Sequence, residues 1–434
     1  MATTTGVEDR TRRTTRGGAP VRADGTVPGA DRAGLDWLSR LDSPLAAYYL
    51  VLGSSVALTV LGLVMVLSSS SVEAVRDTGS SFSVFVKQAL FAVLGLPLAW
   101  AASRAPLRLW TRLAWPAMGV GFVGLLLVLS PLGSTVQGNR NWLPVGPVAI
   151  QPSEAAKLAL VIWISTVLTC KRPLLHVPVH ALVPVFPAAG VMLGLVLLGH
   201  DLGTALVMMA LVAALLFFAG VPLRLFALAG SAAGSVTLLL VWTSPNRMGR
   251  IGDWLSGGGC NDYYGSCWQA IHGKWALASG GWWGVGLGSS REKWSWLPAA
   301  HNDFIFAIIG EELGLVGTLA VLALFALLGI GMLKLVLATD EFFVKVATGG
   351  VLAWILGQAL VNIGAVLGVL PVIGVPLPLV SYGGSALMMT LVALGMVLGF
   401  ARHLPGASEA LASRPSVVKR SLAVLPGRRD GGVR

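Results

Sequence analysis

Long apolar stretches separated by short polar links make up most of the chain. Ten such stretches cover residues 46–68, 82–102, 113–132, 153–170, 181–199, 202–220, 223–243, 303–335, 342–369 and 385–400. A helix needs roughly 17–25 apolar residues to cross a bilayer, and nine of the stretches reach that length while residues 385–400 fall one short of it. None alternates apolar and polar residues as a membrane β-barrel strand does, so helices must satisfy the backbone hydrogen bonds. The pattern predicts an all-α, polytopic membrane protein with about ten transmembrane helices.

The polar segments divide the chain into predicted regions. Residues 1–44 are polar and rich in arginine, which predicts a disordered cytoplasmic tail. Residues 45–403 form the predicted ten-helix membrane domain, in which residues 244–302 are a large extracytoplasmic loop between the seventh and eighth helices. Residues 404–434 form a basic tail, again predicted to be cytoplasmic.

Composition and charge agree with a membrane protein. Apolar residues make up 55% of the chain, charged residues only 12%, and the mean hydropathy is +0.76. The net charge of +11 lies largely in the tails and short loops, where it indicates orientation and attraction to anionic lipid rather than nucleic-acid binding. Ten spans place both tails on one side with the arginine-rich loops, which the positive-inside rule makes the cytoplasm. Residues 133–152, 244–302 and 371–384 then face outward.

The clearest candidate for chemistry is Asp303, where a polar run ends and a long apolar stretch begins. Glu311 and Glu312 follow about 12 Å deeper along the predicted helix. Ionisable groups at such depth are costly and usually face a cavity or a partner. The alternative is that Asp303 only caps the helix N-terminus. Capping does not account for two further carboxylates on the same span.

Other polar residues share the predicted outer face. Glu154 and Lys157 are three residues apart, so they form either a structural ion pair or a substrate contact. Asp201 lies at a polar break between two spans, where an N-cap explains most of its presence. The remaining candidates are Arg140, Gln151, Lys293, His301, Ser381 and Gly383.

Several familiar kinds of site are absent from the sequence. The glycines of residues 280–288 are followed by no Gly-Lys-Ser/Thr, so they form no P-loop. The sequence has no serine–histidine–acid set and no spacing of metal ligands. Cys260 and Cys267 could pair if their loop faces an oxidising compartment. What remains, an outward carboxylate near cations in a lipid-embedded protein, suits a lipid-linked anionic substrate processed at the outer surface.

Four motifs resemble the signatures of the SEDS family, in the same order along the chain. They are QPSEAAK at 151–157, DLGTA at 201–205, AHNDFIFAIIGEELG at 300–314 and PLPLVSYGGS at 376–385. The resemblance covers the chain from the first span to His403. The charged tails and residues 290–294 resemble the actinobacterial, cell-division branch of the family most.

The resemblance implies a peptidoglycan glycosyltransferase that polymerises lipid II. Asp303 matches the acidic residue proposed as general base for the acceptor's 4-hydroxyl, whose oxygen would attack the donor's anomeric carbon, invert it and expel undecaprenyl pyrophosphate. Arg140, Lys157 and Lys293 are expected to contact phosphates, although Asn141 separates Arg140 from the tryptophan it adjoins in many relatives. Further expected substrate contacts are Gln151, Glu154, Asp201, His301, Ser381 and Gly383; Glu312 and Gly384 are expected to shape the cavity or a helix junction.

The resemblance also implies partners and leaves alternatives. A class B penicillin-binding protein is the expected transpeptidase partner, together with other divisome proteins, at the septum of the cytoplasmic membrane. No nucleic acid is expected. A divalent cation, Mg²⁺ or Mn²⁺, could bridge the pyrophosphate, although no protein ligand set demands it. The alternatives are a lipid II flippase, an elongation-type polymerase of the same family, and a scaffold that only recruits the transpeptidase.

Overall fold

The computed structural model describes residues 45–404 and 407, apart from residues 137, 147, 176, 243–247, 250, 253, 255–266 and 295. The predicted tail of residues 1–44 and nearly all of residues 404–434 lie outside the described residues. The predictions for both tails therefore stay predictions.

A helix occupies each apolar stretch identified in the sequence. The described helices are α1 Ala46–Thr78, α2 Ser83–Arg104, α3 Leu107–Leu129, α4 Pro152–Cys170, α5 Pro178–Leu198, α6 Leu202–Phe218, α7 Leu223–Trp242, α8 Trp268–Ser279, α9 Ile305–Ala338, α10 Phe342–Val366 and α11 Gly384–Arg402. Seven of them, α1–α4 and α9–α11, are long and apolar enough to cross a membrane. The fold is therefore that of a helical, polytopic membrane protein, and the count of ten spans stays a prediction.

Two helices differ from their predicted bounds in ways that matter for the site. Helix α1 continues ten residues beyond position 68, through a polar stretch, and ends at Gly79, whose φ of 73° is left-handed. Helix α9 begins at Ile305 instead of residue 303 and is interrupted at Gly314, whose φ and ψ of 68° and −165° are not helical. Hydropathy reveals neither the extension of α1 nor the interruption of α9, because it reports only where a run of apolar residues lies.

The polar loop predicted at residues 133–152 contains a small antiparallel sheet. Strands β1 Ser134–Val136, β2 Asn139–Val145 and β3 Val148–Ile150 pair in the order β1-β2-β3. Leu143 faces Ile150 across β2 and β3. The backbone N–H of Arg140 in β2 donates to the carbonyl of Gly199 at 2.8 Å, so the sheet is joined to the end of α5.

The helices that carry motifs lie at the centre of the bundle. Among the seven membrane-length helices, α4 and α11 have the largest buried fractions. They are apolar over nearly the whole circumference, as a helix enclosed by other helices must be. Around them α1 packs on α9, α2 on α11, α3 on α4, and α6 on α10. The core thus fixes the N-terminal end of α4, where the motif at 151–157 begins, and that of α11, where the motif at 376–385 ends.

Candidate active site

Polar segments from distant parts of the sequence meet at one end of the bundle. The hydroxyl of Ser385, in the first turn of α11, accepts from the backbone N–H of Gln151, just before α4, at 3.1 Å. The backbone N–H of Tyr382 donates to the carbonyl of His301 at 2.9 Å. These contacts bring three of the four motifs together, and the fourth joins them through Asp201.

Asp303 lies in a turn immediately before α9. The N-cap residue of α9 is Phe304 and not Asp303. The carbonyl of Asp303 accepts from the side-chain amide of Asn362 on α10 at 2.8 Å, and its Oδ1 atom is buried. The backbone of Asp303 is thus fixed by α10, and one of its carboxylate oxygens is buried next to the start of α9.

A narrow cleft opens beside Asp303, between α10 and the link that follows it. One wall is the end of α10 and the other is the chain from Val372 to Val375. Its lining residues are Asp303, Phe304, Val361, Asn362, Ala365, Val366, Val372, Ile373, Gly374 and Val375. Its walls are mostly apolar and carry one carboxylate and one amide, and it has room for about one water molecule.

The link before α11 holds the turn that carries Asp303. The hydroxyl of Ser381 donates to the carbonyl of Asn302 at 2.6 Å and accepts from the N–H of Leu377 at 2.8 Å. The buried amide of Gln88 donates to the carbonyl of Ser381 at 3.2 Å and accepts from the N–H of Gly383 at 3.1 Å. Ser381 and Gly383 therefore position backbone next to Asp303.

Gly384 begins α11 against the ring of Phe91 on α2. A Cβ at Gly384 would lie 2.0 Å from that ring, so only glycine allows this close approach. The geometry agrees with the expected place of Gly384 at a helix junction, although its role is untested.

His301 and Tyr382 form an aromatic pair above this turn. Their ring centroids are 5.4 Å apart in an edge-to-face arrangement. His301 Nδ1 also lies 3.1 Å from Glu73 Oε2, on the part of α1 that extends beyond residue 68. Burial raises the pKa of the Tyr382 phenol, so that side chain is neutral near pH 7.

Lys157 does not face outward, contrary to the expectation from the sequence. Its ammonium lies 2.8 Å from Glu154, 3.0 Å from the amide oxygen of Gln358 and 4.9 Å from the ring of Trp354. Both members of the ion pair are almost completely buried. The charge of Lys157 is therefore neutralised inside the bundle.

Lys293 is likewise buried, and the expectation that it is an outward cation is wrong. Its ammonium lies 3.1 Å from Glu312 and donates to the carbonyl of Gly288 at 2.6 Å. Arg140 differs, since it is half-buried and its Nη2 donates to the carbonyl of Ser130 at 2.7 Å. Of the three cations predicted to contact phosphate, Arg140 is the one that keeps access to solvent. Phosphate binding by any of them stays a prediction.

Asp201 caps α6 and joins the sheet to α4. Its carboxylate accepts from the backbone N–H of Thr204 at 2.9 Å, from the Thr204 hydroxyl at 2.8 Å, from the amide of Asn141 at 2.9 Å and from that of Gln151 at 3.4 Å. The N-cap expected at this break is present. Asp201 and Gln151 are 6% and 9% exposed, so they order this end of the bundle from within.

Sequence reasoning missed the amide side chains that organise the site. Gln88, Gln358 and Asn362 are each buried in an apolar helix, and each bonds the link between α10 and α11 or its neighbours. A signal was available, because an uncharged amide inside an apolar span is costly unless it bonds another segment.

The cysteine and metal predictions have different outcomes. Cys267 is disulfide-bonded, but Cys260 lies outside the described residues, so their pairing stays a prediction. Cys170 is free and exposed. Among the described residues no group of three or more His, Cys, Asp or Glu side chains could hold a metal ion. The divalent cation expected from pyrophosphate chemistry thus has no protein ligand set in this part of the chain.

Similarity to solved structures covers most of the chain. A chain of a peptidoglycan synthase complex, solved in work on the coordination of polymerization and crosslinking, matches with a TM-score of 0.66 and 30% identity over 81% of this chain and 96% of that one. The rod shape determining protein RodA of Thermus thermophilus matches with a TM-score of 0.60 and 30% identity, over 82% of this chain and 96% of that one.

Curated relatives and a family model agree. The probable peptidoglycan glycosyltransferase FtsW of Mycobacterium tuberculosis is 39% identical over 425 residues, which are 96% of this chain and 81% of that protein. The protein of the same name from Coxiella burnetii is 37% identical over 353 residues, 80% of this chain and 94% of that protein. The model of the FtsW/RodA/SpoVE family, described as cell cycle proteins, matches residues 49–405. The chain therefore belongs to the FtsW/RodA/SpoVE family.

Proposed function

We propose that this protein is a peptidoglycan glycosyltransferase that polymerises lipid II at the outer face of the cytoplasmic membrane during septal wall synthesis. Its relatives of 34–39% identity bear the name probable peptidoglycan glycosyltransferase FtsW, which supports the division role over elongation. The observation that carries the proposal is the placement of Asp303, a carboxylate in the turn before α9 that lines a mostly apolar cleft.

In the proposed reaction Asp303 is the general base. Its carboxylate accepts the proton of the acceptor sugar's 4-hydroxyl while that oxygen attacks the donor's anomeric carbon. The bond from this carbon to the pyrophosphate breaks with inversion, and undecaprenyl pyrophosphate leaves with the bonding electrons. Pyrophosphate is a good leaving group, so one base suffices, whereas glycoside hydrolysis uses two carboxylates. Asp303 then releases its proton to solvent.

The surroundings of Asp303 support this role through position. Asn362 donates to the carbonyl of Asp303, and Ser381 donates to the carbonyl of Asn302, so the peptide groups on both sides of the Asp303 Cα atom are fixed. A base held in this way needs little reorganisation when the substrate arrives. Arg140 is our candidate for phosphate contact, because it is a partly exposed cation at the polar end of the bundle.

The proposal includes the setting of the enzyme. We propose ten spans, both termini in the cytoplasm, and a class B penicillin-binding protein as transpeptidase partner, with other divisome proteins at the septum. The similarity to a chain of a peptidoglycan synthase complex supports a partner of this kind. The basic loops between spans support the orientation.

The test is glycan-chain formation from purified lipid II. Wild type and Asp303→Asn are compared together with the partner transpeptidase, whose own activity is blocked by a β-lactam. Loss of a general base is expected to lower the polymerisation rate by ~10²–10⁴-fold. The matched control is Asp340→Asn, which removes an exposed carboxylate in the link between α9 and α10 and should leave the rate unchanged.

Two outcomes would overturn parts of the proposal. Equal polymer from wild type and a folded Asp303→Asn variant would remove Asp303 from the chemistry. No polymer from wild type, with lipid II crossing liposomes instead, would favour the flippase. The fold of each variant is checked by its size-exclusion profile and thermal transition.

A further inference from the structure

The interruption of α9 at Gly314 is filled by another part of the chain. Without the break, the N–H groups of Leu315 and Val316 would bond the carbonyls of residues 311 and 312. Instead they donate to the carbonyls of Gly281 and Trp282, at 2.9 and 3.3 Å. The carbonyls left free by the break accept from the N–H groups of Val285 and Gly286, at 2.9 and 3.0 Å. The chain at 281–286, here called the inserted segment, thus supplies the hydrogen-bond partners that the break removes from α9.

Buried carboxylates hold the continuation of the inserted segment from the inside. Glu311 accepts from the Ser290 hydroxyl at 2.5 Å and from the backbone N–H of Arg291 at 2.8 Å. Glu312 accepts from the Ser68 hydroxyl, whose oxygen also accepts from the N–H of Gly288 at 3.2 Å. Lys293 neutralises Glu312 at 3.1 Å. The two glutamates on α9 therefore hold residues 290–293 by hydrogen bonds and an ion pair.

The opposite side of the inserted segment is apolar and exposed. Trp282 and Trp283 are 70% and 81% exposed, and Val285 and the adjoining Leu287 are also exposed. No charged residue occurs between Gly280 and Ser289. Exposed tryptophans in a stretch without charge are unusual on a surface that faces water.

This apolar surface continues directly into α9. All residues from Ile305 to Glu312 are buried by protein, whereas Leu315, Val316 and Leu319, just after the break, are exposed. Exposed apolar side chains on a membrane-length helix face lipid. The tryptophans of the inserted segment therefore lie where the lipid-facing surface of α9 begins.

We propose that Trp282, Trp283, Val285 and Leu287 form a membrane anchor that sits at the boundary between lipid head groups and acyl chains of the outer leaflet. Tryptophan prefers this boundary. The backbone of the inserted segment can enter it because four of its polar groups bond α9. Gly314, where the inserted segment meets α9, is nine residues or about 14 Å from Ile305, the first residue of that helix. Asp303 lies in the turn just before α9, so the anchor fixes the depth of α9 and with it that of Asp303.

The test measures the surroundings of residue 283 directly. Trp283→Cys is made in a Cys170→Ala background, labelled with a nitroxide and placed in nanodiscs of phosphatidylethanolamine and phosphatidylglycerol without any partner protein. The readout is the ratio of accessibility to oxygen, which concentrates in lipid, to accessibility to a water-soluble nickel chelate. Leu319→Cys is the lipid-facing control, and Asp340→Cys is the water-facing control.

The anchor predicts a ratio at residue 283 several-fold above that of Asp340→Cys. A ratio equal to that of Asp340→Cys would overturn the proposal, because the segment would then lie in water. Exclusion of both reagents would also overturn it, since a protein surface would then cover the site. Val285→Cys, on the same exposed side, repeats the test if Trp283→Cys fails to fold. The readout needs no enzymatic activity, so it is independent of the proposed function.

Discussion

At the scale of single residues, Glu154 and Lys157 form an ion pair that is almost completely buried. The two charges are 2.8 Å apart and their side chains are 3% and 2% exposed. Removing one partner leaves the other charge buried without compensation, which costs about 3–5 kcal/mol. Replacing both by neutral side chains of similar size costs much less.

The expected result is that Glu154→Gln lowers the thermal transition of the purified protein more than the double variant Glu154→Gln/Lys157→Met does. The measurement is thermal unfolding in detergent at pH 7. Ser153→Ala, next to the pair, is the control for a change at the same helix end. A double variant at least as unstable as the single one would show that the pair itself holds the fold.

Tyr382 gives a prediction for the dependence of stability on pH. Because burial raises the pKa of its phenol in the folded protein, ionisation favours the unfolded chain, where the pKa is about 10. The stability contributed by the neutral phenol is therefore complete below about pH 10 and is lost as the pH rises through the folded pKa. Tyr382→Phe removes this loss. Thermal transitions from pH 8 to 11 should diverge between the two proteins above pH 10, and parallel curves would contradict the assignment.

Single residues also show how far sequence reasoning reached. Asp303 and Asp201 are identifiable because each lies where a polar run meets an apolar stretch, and Ser381 because it belongs to a motif; the structure brings the three segments to one end of the bundle.

For Lys157 the alternative of an ion pair with Glu154 is the one that the structure has, because a spacing of three residues places both on one face of α4. Lys293 is not an outward cation, because Glu312, which is distant in sequence, pairs with it inside the protein. Direction depends on tertiary packing.

At the scale of elements, the inserted segment and the residues that follow it contain glycines that differ in how much space surrounds them. Gly284 has a φ of 79°, and a Cβ there would lie 2.1 Å from the carbonyl oxygen of Glu312. Gly288 has nearly the same φ, 80°, but nothing lies within 4 Å of its Cβ position. Alanine costs about 1–2 kcal/mol at either site for its left-handed backbone. At Gly284 the clash adds about 1–3 kcal/mol.

The expected result is that Gly284→Ala lowers the thermal transition clearly more than Gly288→Ala. Both positions are glycines with nearly the same φ and lie four residues apart, so the difference in stability measures how closely the inserted segment approaches α9 at Gly284. Equal losses of stability would mean that only the backbone strain matters and that Gly284 does not approach the carbonyl of Glu312 as closely as described.

Elements were predicted well where they are long and apolar, and poorly where they are short. The apolar runs of α1 to α7 and α9 to α11 are visible because hydropathy accumulates over about 20 residues. The sheet escaped notice because β1 and β3 have three residues each and β2 contains two asparagines, an arginine and a proline. The break in α9 was not predicted because a single glycine is common in membrane helices, and the segment that fills the break comes from residues 281–286.

At the scale of the whole molecule, polarity is distributed unevenly between the two ends of the bundle. The buried pair of Glu154 and Lys157, the capping aspartate and the amide contacts described above lie where the N-terminal ends of α4, α6, α9 and α11 meet. The pair of Lys293 and Glu312 lies two turns into α9. A path for a lipid head group across the membrane would need polar groups at both ends and between them. The observed distribution favours chemistry at one face, and the orientation of that face is the last property to test.

The proposed orientation places the sheet outside the cell and the link between α9 and α10 inside. Val136→Cys, in an exposed position of β1, and Asp340→Cys, exposed in that link, are made separately in the Cys170→Ala background. A membrane-impermeant maleimide is expected to label Val136→Cys in intact cells and Asp340→Cys only after permeabilisation. The disulfide-bonded Cys267 does not react with maleimide. Labelling of Asp340→Cys in intact cells would reverse the orientation and place Asp303 on the cytoplasmic side, where an outer-face polymerase could not use it.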